Sequence, residues 1–349
     1  WKAAKEDTTT GQKVLRYPKI TGYFPGEYKS RGNFFVTAKH KILHDAEQLK
    51  YIVERGYLPT LFLKVAQNYT AVHDTLMLTK QVNQYTFMDA RYFEMIGTTY
   101  NWFNYKHHLP VILNGHAVTV DNQKYQMAEK EYFSDKNSPG LTVIDNIFSN
   151  KALHALLEYL RASTIWFDVK NGYLGTYMNT GLSGPLLLQI EKELRARLPN
   201  VLKTYPLRTV WAYKCFDTMP EGLAIHADAA AVNLNIWLTP DDAIVNEKED
   251  EDGGVSEGSG GGGGGGGLAV YLTKNLPKDW TFSQMNELSQ VGEIQSFLKE
   301  TKSEERKISY RQNRAVLFHS RLFHETMKFK LKKGYKNARI NLTFLFGFQ

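Results

Sequence analysis

A single cysteine, Cys215, stands in a chain of 349 residues. It cannot form an intrachain disulfide framework or a thiolate cluster for structural zinc, so the expected setting is an intracellular, reducing compartment, with cytoplasm or organelle left open. Cys215 itself reads as a small hydrophobe in a strand. Long apolar runs are also scarce. Pro185–Ile190 and Leu342–Phe346 are the longest, well short of the ~20 residues a bilayer-spanning helix needs, and no membrane span is expected. No initiator methionine or signal-peptide pattern opens the chain at Trp1, which leaves room for a targeting segment ahead of it. Charge is only mildly one-sided: 43 basic against 36 acidic side chains give +7. The surplus is dispersed apart from Lys328, Lys330, Lys332, Lys333 and Lys336, which read as the solvated face of a hairpin, so nucleic acid is not indicated.

What the chain has is apolar and aromatic content, 42% and 13%, sufficient for a large domain and a smaller one. Residues 1–40, rich in Lys, Gly, Thr and Pro, are expected to form an extended arm able to order against a protein partner. Residues 41–140 are expected to be mainly helical, then a connector. Ile42, Leu43, Ala46, Leu49, Ile52 and Val53 recur at helical spacing up to Gly56, and a second helix is expected from Pro59 through Tyr69, giving a helical hairpin. His107 and His108 lack a carboxylate at ligand spacing and read as surface residues.

A new unit is expected over 141–349. Leu141–Phe148 reads as a strand, and Ser149 or Asn150 caps a helix to Arg161 whose stripe is Leu153, Leu156, Leu157 and Leu160. Another helix runs from Pro185 to Leu198, before Pro199. Thereafter come short strands: Arg208–Phe216, Gly222–His226, Val232–Leu238, Leu268–Leu272, Arg314–His319 and Ala338–Phe346. Many short strands with flanking helices predict an α+β fold, a double-stranded β-helix or two-sheet jelly roll behind a helical N-terminal region. The acidic run Glu247–Asp252 and the glycine tract Gly260–Gly267 predict a flexible loop over 246–267, without the ligand alternation of a calcium loop.

His226 and Asp228 flank Ala227 on a strand-like segment, so both face one side while Ala227 faces the other. His324 follows a turn at Ser320-Arg321, and Arg339 lies on the last strand. Two imidazoles and a carboxylate make a facial triad that leaves coordination positions open on a ferrous ion. His319, just before the turn, competes with His324 but fits better as a supporting or pocket residue. An arginine deep in a barrel needs an anionic partner, and a 2-oxo acid carboxylate suits it. Asn341 and Thr343 share its face; Tyr213, Asn233, Asn235 and Trp237 are candidates for the pocket wall.

These residues, within Trp211-Ala-Tyr-Lys214, His226–Pro240, Tyr310–Phe318, Leu322-Phe-His-Glu-Thr326 and Arg339-Ile-Asn-Leu-Thr343, carry a resemblance to the iron(II)- and 2-oxoglutarate-dependent dioxygenase superfamily. More narrowly, the chain resembles the 2-oxoglutarate oxygenases associated with tetratricopeptide-repeat proteins, over about residues 141–349. The resemblance implies Fe(II) at His226, Asp228 and His324, and 2-oxoglutarate at Arg339 with Thr343, Asn341, Tyr213 and Asn235. It also implies O2-driven hydroxylation of a protein or small-molecule substrate, releasing succinate and CO2. A longer acidic, glycine-rich insertion and His319 in place of a small polar residue depart from the family pattern without removing a ligand. The alternatives are a catalytically inactive subunit that docks into a larger complex, and a cupin-type metalloenzyme that uses no 2-oxo acid, which Arg339 disfavours.

Overall fold

Apolar side chains at three- and four-residue spacing wind the first described segment into two helices. The computed structural model of the chain describes residues 36–77, 86–87, 90–134, 140–216, 223–245, 265–273, 280–281, 285–286 and 290–348. The expected arm therefore lies outside the described residues but for its last few, and the acidic, glycine-rich loop lies outside them up to Gly264. Strand β1 (Val36–Thr37) leads into α1 (Lys39–Glu54) and α2 (Phe62–Met77), whose Ile42, Ala46 and Leu49 pack on Ala66, Tyr69, Val72 and Leu76. β2 (Thr86–Phe87) pairs with β1. The supposed connector holds two further helices, α3 (Ala90–Ile96) and α4 (Asn122–Tyr132). The Asp121 carboxylate caps α4 by accepting the Lys124 N–H at 3.0 Å. Its buried stripe is Tyr125, Ala128, Glu129 and Tyr132, too polar to register as an amphipathic pattern.

The second unit begins at β3 (Leu141–Ile144), followed by α5 (Asn150–Ala162), β4 (Asp168–Val169), β5 (Tyr173–Tyr177), α6 (Pro185–Arg197), α7 (Pro199–Leu202), β6 (Leu207–Cys215) and β7 (Val232–Trp237). β8 (Leu268–Leu272), α8 (Val291–Glu300), β9 (Glu304–Ile308), β10 (Ala315–His319), β11 (His324–Thr326) and β12 (Arg339–Phe346) complete it. Seven strands form one antiparallel sheet in the order β3-β10-β7-β12-β6-β5-β4, and β11-β8-β9 form a second. Leu223–His226, expected as a strand, makes only a bridge, His226 to His324.

Two-residue alternation gives the large sheet two different faces. Ile340, Leu342, Phe344 and Phe346 of β12, with Leu234 and Ile236 of β7 and Leu317 of β10, pack beneath α4, α5 and α6. On the opposite face Trp237, Val316 and Phe318 pack against Leu268 and Val270 of the second sheet. Arg339, Asn341 and Thr343 share that inner face. The fold is a jelly roll with helices against one side of its larger sheet. Among the described residues no helix is long and apolar enough to cross a membrane. Lys328, Lys330, Lys332, Lys333 and Lys336 are exposed, while Phe329 and Leu331 between them turn inward, as a solvated edge requires.

α1 is buried on both sides, and its second face is polar. Lys41 Nζ donates to the Asp45 carboxylate at 2.6 Å, and His44 Nδ1–H donates to Asp45 Oδ1 at 2.9 Å. His44 Nε2 then accepts from Lys214 Nζ of β6 at 3.0 Å, and that ammonium lies 4.4 Å over the Trp166 ring. Burial, helped by the Lys214 charge, pushes His44 down to about 3, and burial pushes His40 down to about 4. Both imidazoles are neutral when folded and take up protons once the chain opens. The unfolded state thus binds more protons between pH ~6.5 and the folded values, so stability is whole above that window and is lost as pH falls through it. Denaturant titrations at pH 7 and pH 5 should differ by on the order of 2 kcal/mol per histidine. His44→Gln should flatten the dependence by about half; an unchanged slope would refute the account.

Candidate metal centre

A reciprocal backbone pair brings the two histidines together. His226 N–H donates to the His324 carbonyl at 3.0 Å, and His324 N–H to the His226 carbonyl at 2.8 Å. Residues paired in this way across antiparallel segments project side chains to one side, which sets the imidazole centroids 4.3 Å apart. Two residues on, Asp228 N–H donates to the Ser320 carbonyl at 3.0 Å, which turns its carboxylate toward the same point. Ala227, between them, points away into a cluster with Ile225, Met285 and Phe323. One ligand atom from each of His226, Asp228 and His324 lies within 4.8 Å of the others.

Each imidazole is held by a carbonyl that can only accept. His226 Nδ1–H donates to the Ala224 carbonyl at 2.7 Å and His324 Nδ1–H to the Leu322 carbonyl at 3.0 Å. Both Nε2 lone pairs are therefore free to face a cation, the arrangement that supporting hydrogen bonds give metal-binding histidines. His324 Nε2 is 3.5 Å from Asp228 Oδ2. Burial, reinforced by His324, pushes His226 down to about 4, so the imidazole is a neutral ligand at physiological pH. Burial alone would raise Asp228, but the two histidines beside it and a hydrogen bond from Asn233 Nδ2 hold the carboxylate below its ordinary range. Two neutral nitrogens and one anionic oxygen with open positions suit ferrous iron.

The inner face of the large sheet supplies the rest of the chamber. Strand registers align Asn235 of β7 with Thr343 of β12 and Trp211 of β6, and Trp237 with Asn341 and Tyr213. Arg339 pairs with Cys215. Arg339 is 1% exposed. Its Nε–H donates to the Gly266 carbonyl at 2.8 Å, and the guanidinium reaches the Cys215 thiol and lies near the rings of Tyr310, Phe329 and Trp237. Gly266 has φ +79°, open to glycine without strain. Arg339 Nη1, Trp237 Nε1, Asn235 Oδ1 and Asn341 Oδ1 are buried polar atoms without a partner among the described residues. Two unmet donors, one of them cationic, fit a bound carboxylate, because a buried donor left unsatisfied is costly.

His319 alternates with Leu317 and Ala315 on β10 and so belongs to the helix-side face, which excludes it from the pocket. The expectation of a supporting role for it is corrected on that parity. His107 packs against Tyr57 at 4.8 Å, and His108 is exposed. Cys215 is wholly buried, and burial pushes its thiol up. Trp211 also reaches the inner face, as do Asp168, Tyr173 and Tyr177, which went unread in the sequence. Their signal was Asn171-Gly172, a two-residue hairpin turn between β4 and β5, with Gly172 at φ +82°.

No protein-family model matches the chain, and no curated protein matches it. Solved structures do. The non-haem, α-ketoglutarate-dependent epimerase SnoN of nogalamycin biosynthesis is 11% identical at a TM-score of 0.42, over 65% of this chain and 84% of that one. HygX from Streptomyces hygroscopicus, bound to nickel, 2-oxoglutarate and hygromycin B, is 13% identical at 0.40, over 65% and 87%. A Pseudomonas putida prolyl-4-hydroxylase is 14% identical at 0.35, over 66% and 98%. These are distant similarities, below the level at which a neighbour's chemistry transfers, and the jelly roll is read from the strand registers of this chain.

Proposed function

We propose that the chain is an iron(II)- and 2-oxoglutarate-dependent dioxygenase that hydroxylates a protein or small-molecule substrate. The observation that carries this reading is the convergence of His226, Asp228 and His324 within 4.8 Å at the mouth of a barrel whose buried Arg339 keeps one nitrogen unpaired. When bound, the iron supplies the oxidising power, drawn from O2 and the decarboxylation of 2-oxoglutarate to succinate and CO2.

The chain's own residues do the positioning. Ala224 and Leu322 fix the imidazole tautomers through their carbonyls. Asn233 steadies the Asp228 carboxylate. Arg339 receives the far carboxylate of the co-substrate, and Trp237 Nε1 and Asn341 offer further polar contacts. Thr343, Tyr213 and Asn235 complete the wall around it. Phe318, edge-on to His324 at 4.8 Å, and Trp237 keep that end of the chamber dry.

The test is release of succinate from 2-oxoglutarate in air with added Fe(II) and no added substrate, since such enzymes turn over slowly uncoupled. Metal-dependent succinate above a chelated control is the expected result. Tight iron and 2-oxoglutarate binding without any succinate would instead support a non-catalytic subunit.

A further inference from the structure

The last three glycines of the tract are threaded between two chain segments. Gly266 N–H donates to the Lys328 carbonyl at 2.9 Å, and the Gly267 carbonyl accepts the Met327 N–H at 3.0 Å. Leu268, next in line, pairs with Ile308 of β9. These residues thus carry β8 backwards, with Met327 and Lys328 on one side and Ile308 on the other. The passage admits no side chain. A Cβ on Gly265 would overlap the Lys328 carbonyl, and one on Gly267 would overlap the Ile308 carbonyl and stand 3.0 Å from the Tyr310 nitrogen. Both obstacles are backbone, which cannot swing aside as the end of a long side chain can. Gly266, between them, has φ +79°, where a β-branched residue is an outlier.

This threading places one carbonyl. Gly266 O accepts from Arg339 Nε at 2.8 Å. The rings of Tyr310, Phe329 and Trp237 lie 5.6, 5.7 and 6.0 Å from the guanidinium carbon. Ring faces attract a cation but present no directed acceptor, so they do not fix which edge of the planar group meets the chamber. A carbonyl on Nε does fix it, and leaves Nη1, buried and without a partner among the described residues, for an incoming carboxylate.

Resting on the oxygenase reading, we propose that Gly265, Gly266 and Gly267 are positioning residues for the co-substrate. They hold the Gly266 carbonyl against Arg339 Nε and thereby aim Nη1 at the far carboxylate of 2-oxoglutarate. They act through Arg339 alone: the atoms nearest a Cβ on Gly266 belong to Phe329, Ile244 and Arg339, none of them a triad residue.

The full-length parent chain and its variants, loaded with Mn(II), should be titrated calorimetrically with 2-oxoglutarate, and their Fe(II)-dependent succinate release followed over the same range. Gly267→Ala should weaken 2-oxoglutarate binding and raise its KM about tenfold, as the loss of a hydrogen bond to a charged group implies. Its Mn(II) affinity and kcat should stay within about twofold of the parent. Gly266→Val should behave alike through strain at positive φ, which keeps the test open if Gly267→Ala fails to fold. Gly292→Ala, where an added Cβ meets nothing within 4 Å, should match the parent. Combined with Arg339→Leu, either glycine variant should bind 2-oxoglutarate no more weakly than Arg339→Leu alone, because effects that pass through one shared residue do not add. Unchanged affinity in both glycine variants, a parallel loss of Mn(II) affinity or kcat, or a further loss in the combined variants would overturn the proposal. A parent chain that binds no 2-oxoglutarate would overturn the oxygenase reading and the glycines' role together. A parent that binds it beside glycine variants that bind it equally well would overturn the glycines' role alone.

Discussion

Asp228→Ala should abolish iron-dependent release of succinate and weaken binding of Mn(II), a redox-silent substitute, by at least about a hundredfold. Loss of a supporting partner alone typically costs ~10–100-fold, and Asp228 is the only anion in the set. The fold should survive, since the backbone bond from Asp228 N–H to the Ser320 carbonyl does not need the side chain. Its partners hold the folded carboxylate below its ordinary range, and its loss leaves the Asn233 amide without an acceptor, so the metal-free variant should melt modestly below the parent chain while still folding. Calorimetric titration with Mn(II), beside a thermal melt, separates these effects. Undiminished metal binding would show that the three side chains are a polar cluster and not a metal centre.

Arg339→Leu should raise the 2-oxoglutarate concentration needed for half-maximal succinate release by roughly 30-fold or more, the cost of truncating one side of a buried charged pair. Arg339→Lys should recover little, because a point charge cannot make the planar contact that Nη1 offers. The same pair of variants predicts a stability signature. Saturating 2-oxoglutarate with Mn(II) should stabilise the parent chain by ~2.7 kcal/mol at a hundred times its dissociation constant, and Arg339→Leu should lose this shift. Equal co-substrate dependence in Arg339→Leu would place the carboxylate elsewhere in the barrel.

Much of this site was legible because its signals are periodic. His226 and Asp228 are two residues apart, and parity alone puts them on one side and Ala227 on the other. The same rule put Asn341 and Thr343 beside Arg339, and the structure has all three on the inner face. His319 could not be settled this way from sequence, since its face depends on where the turn at Ser320 begins. Only pairing with Val232 shows that it continues the helix-side set of β10. Helix α4 was missed because its stripe mixes tyrosine with glutamate. Glu129 is buried there for a tertiary reason: its carboxylate accepts the Asn200 N–H at 2.7 Å at the start of α7.

The polar docking of α1 was equally hidden. Ile42, Ala46 and Leu49 announced one face, while nothing in the sequence marked His40, Lys41, His44 and Asp45 as buried. They are buried because Lys214, Trp166 and Tyr335 of the jelly roll meet them. A charge pattern does not reveal its partner until the chain has folded.

The most direct measurement is an anomalous difference map from crystals grown with Mn(II) and 2-oxoglutarate. The account requires one strong peak bonded to His226 Nε2, Asp228 and His324 Nε2, with a dicarboxylate reaching from it to Arg339 Nη1. A map with no peak there, or with those three side chains bonded to one another and the co-substrate absent from Arg339, would contradict it.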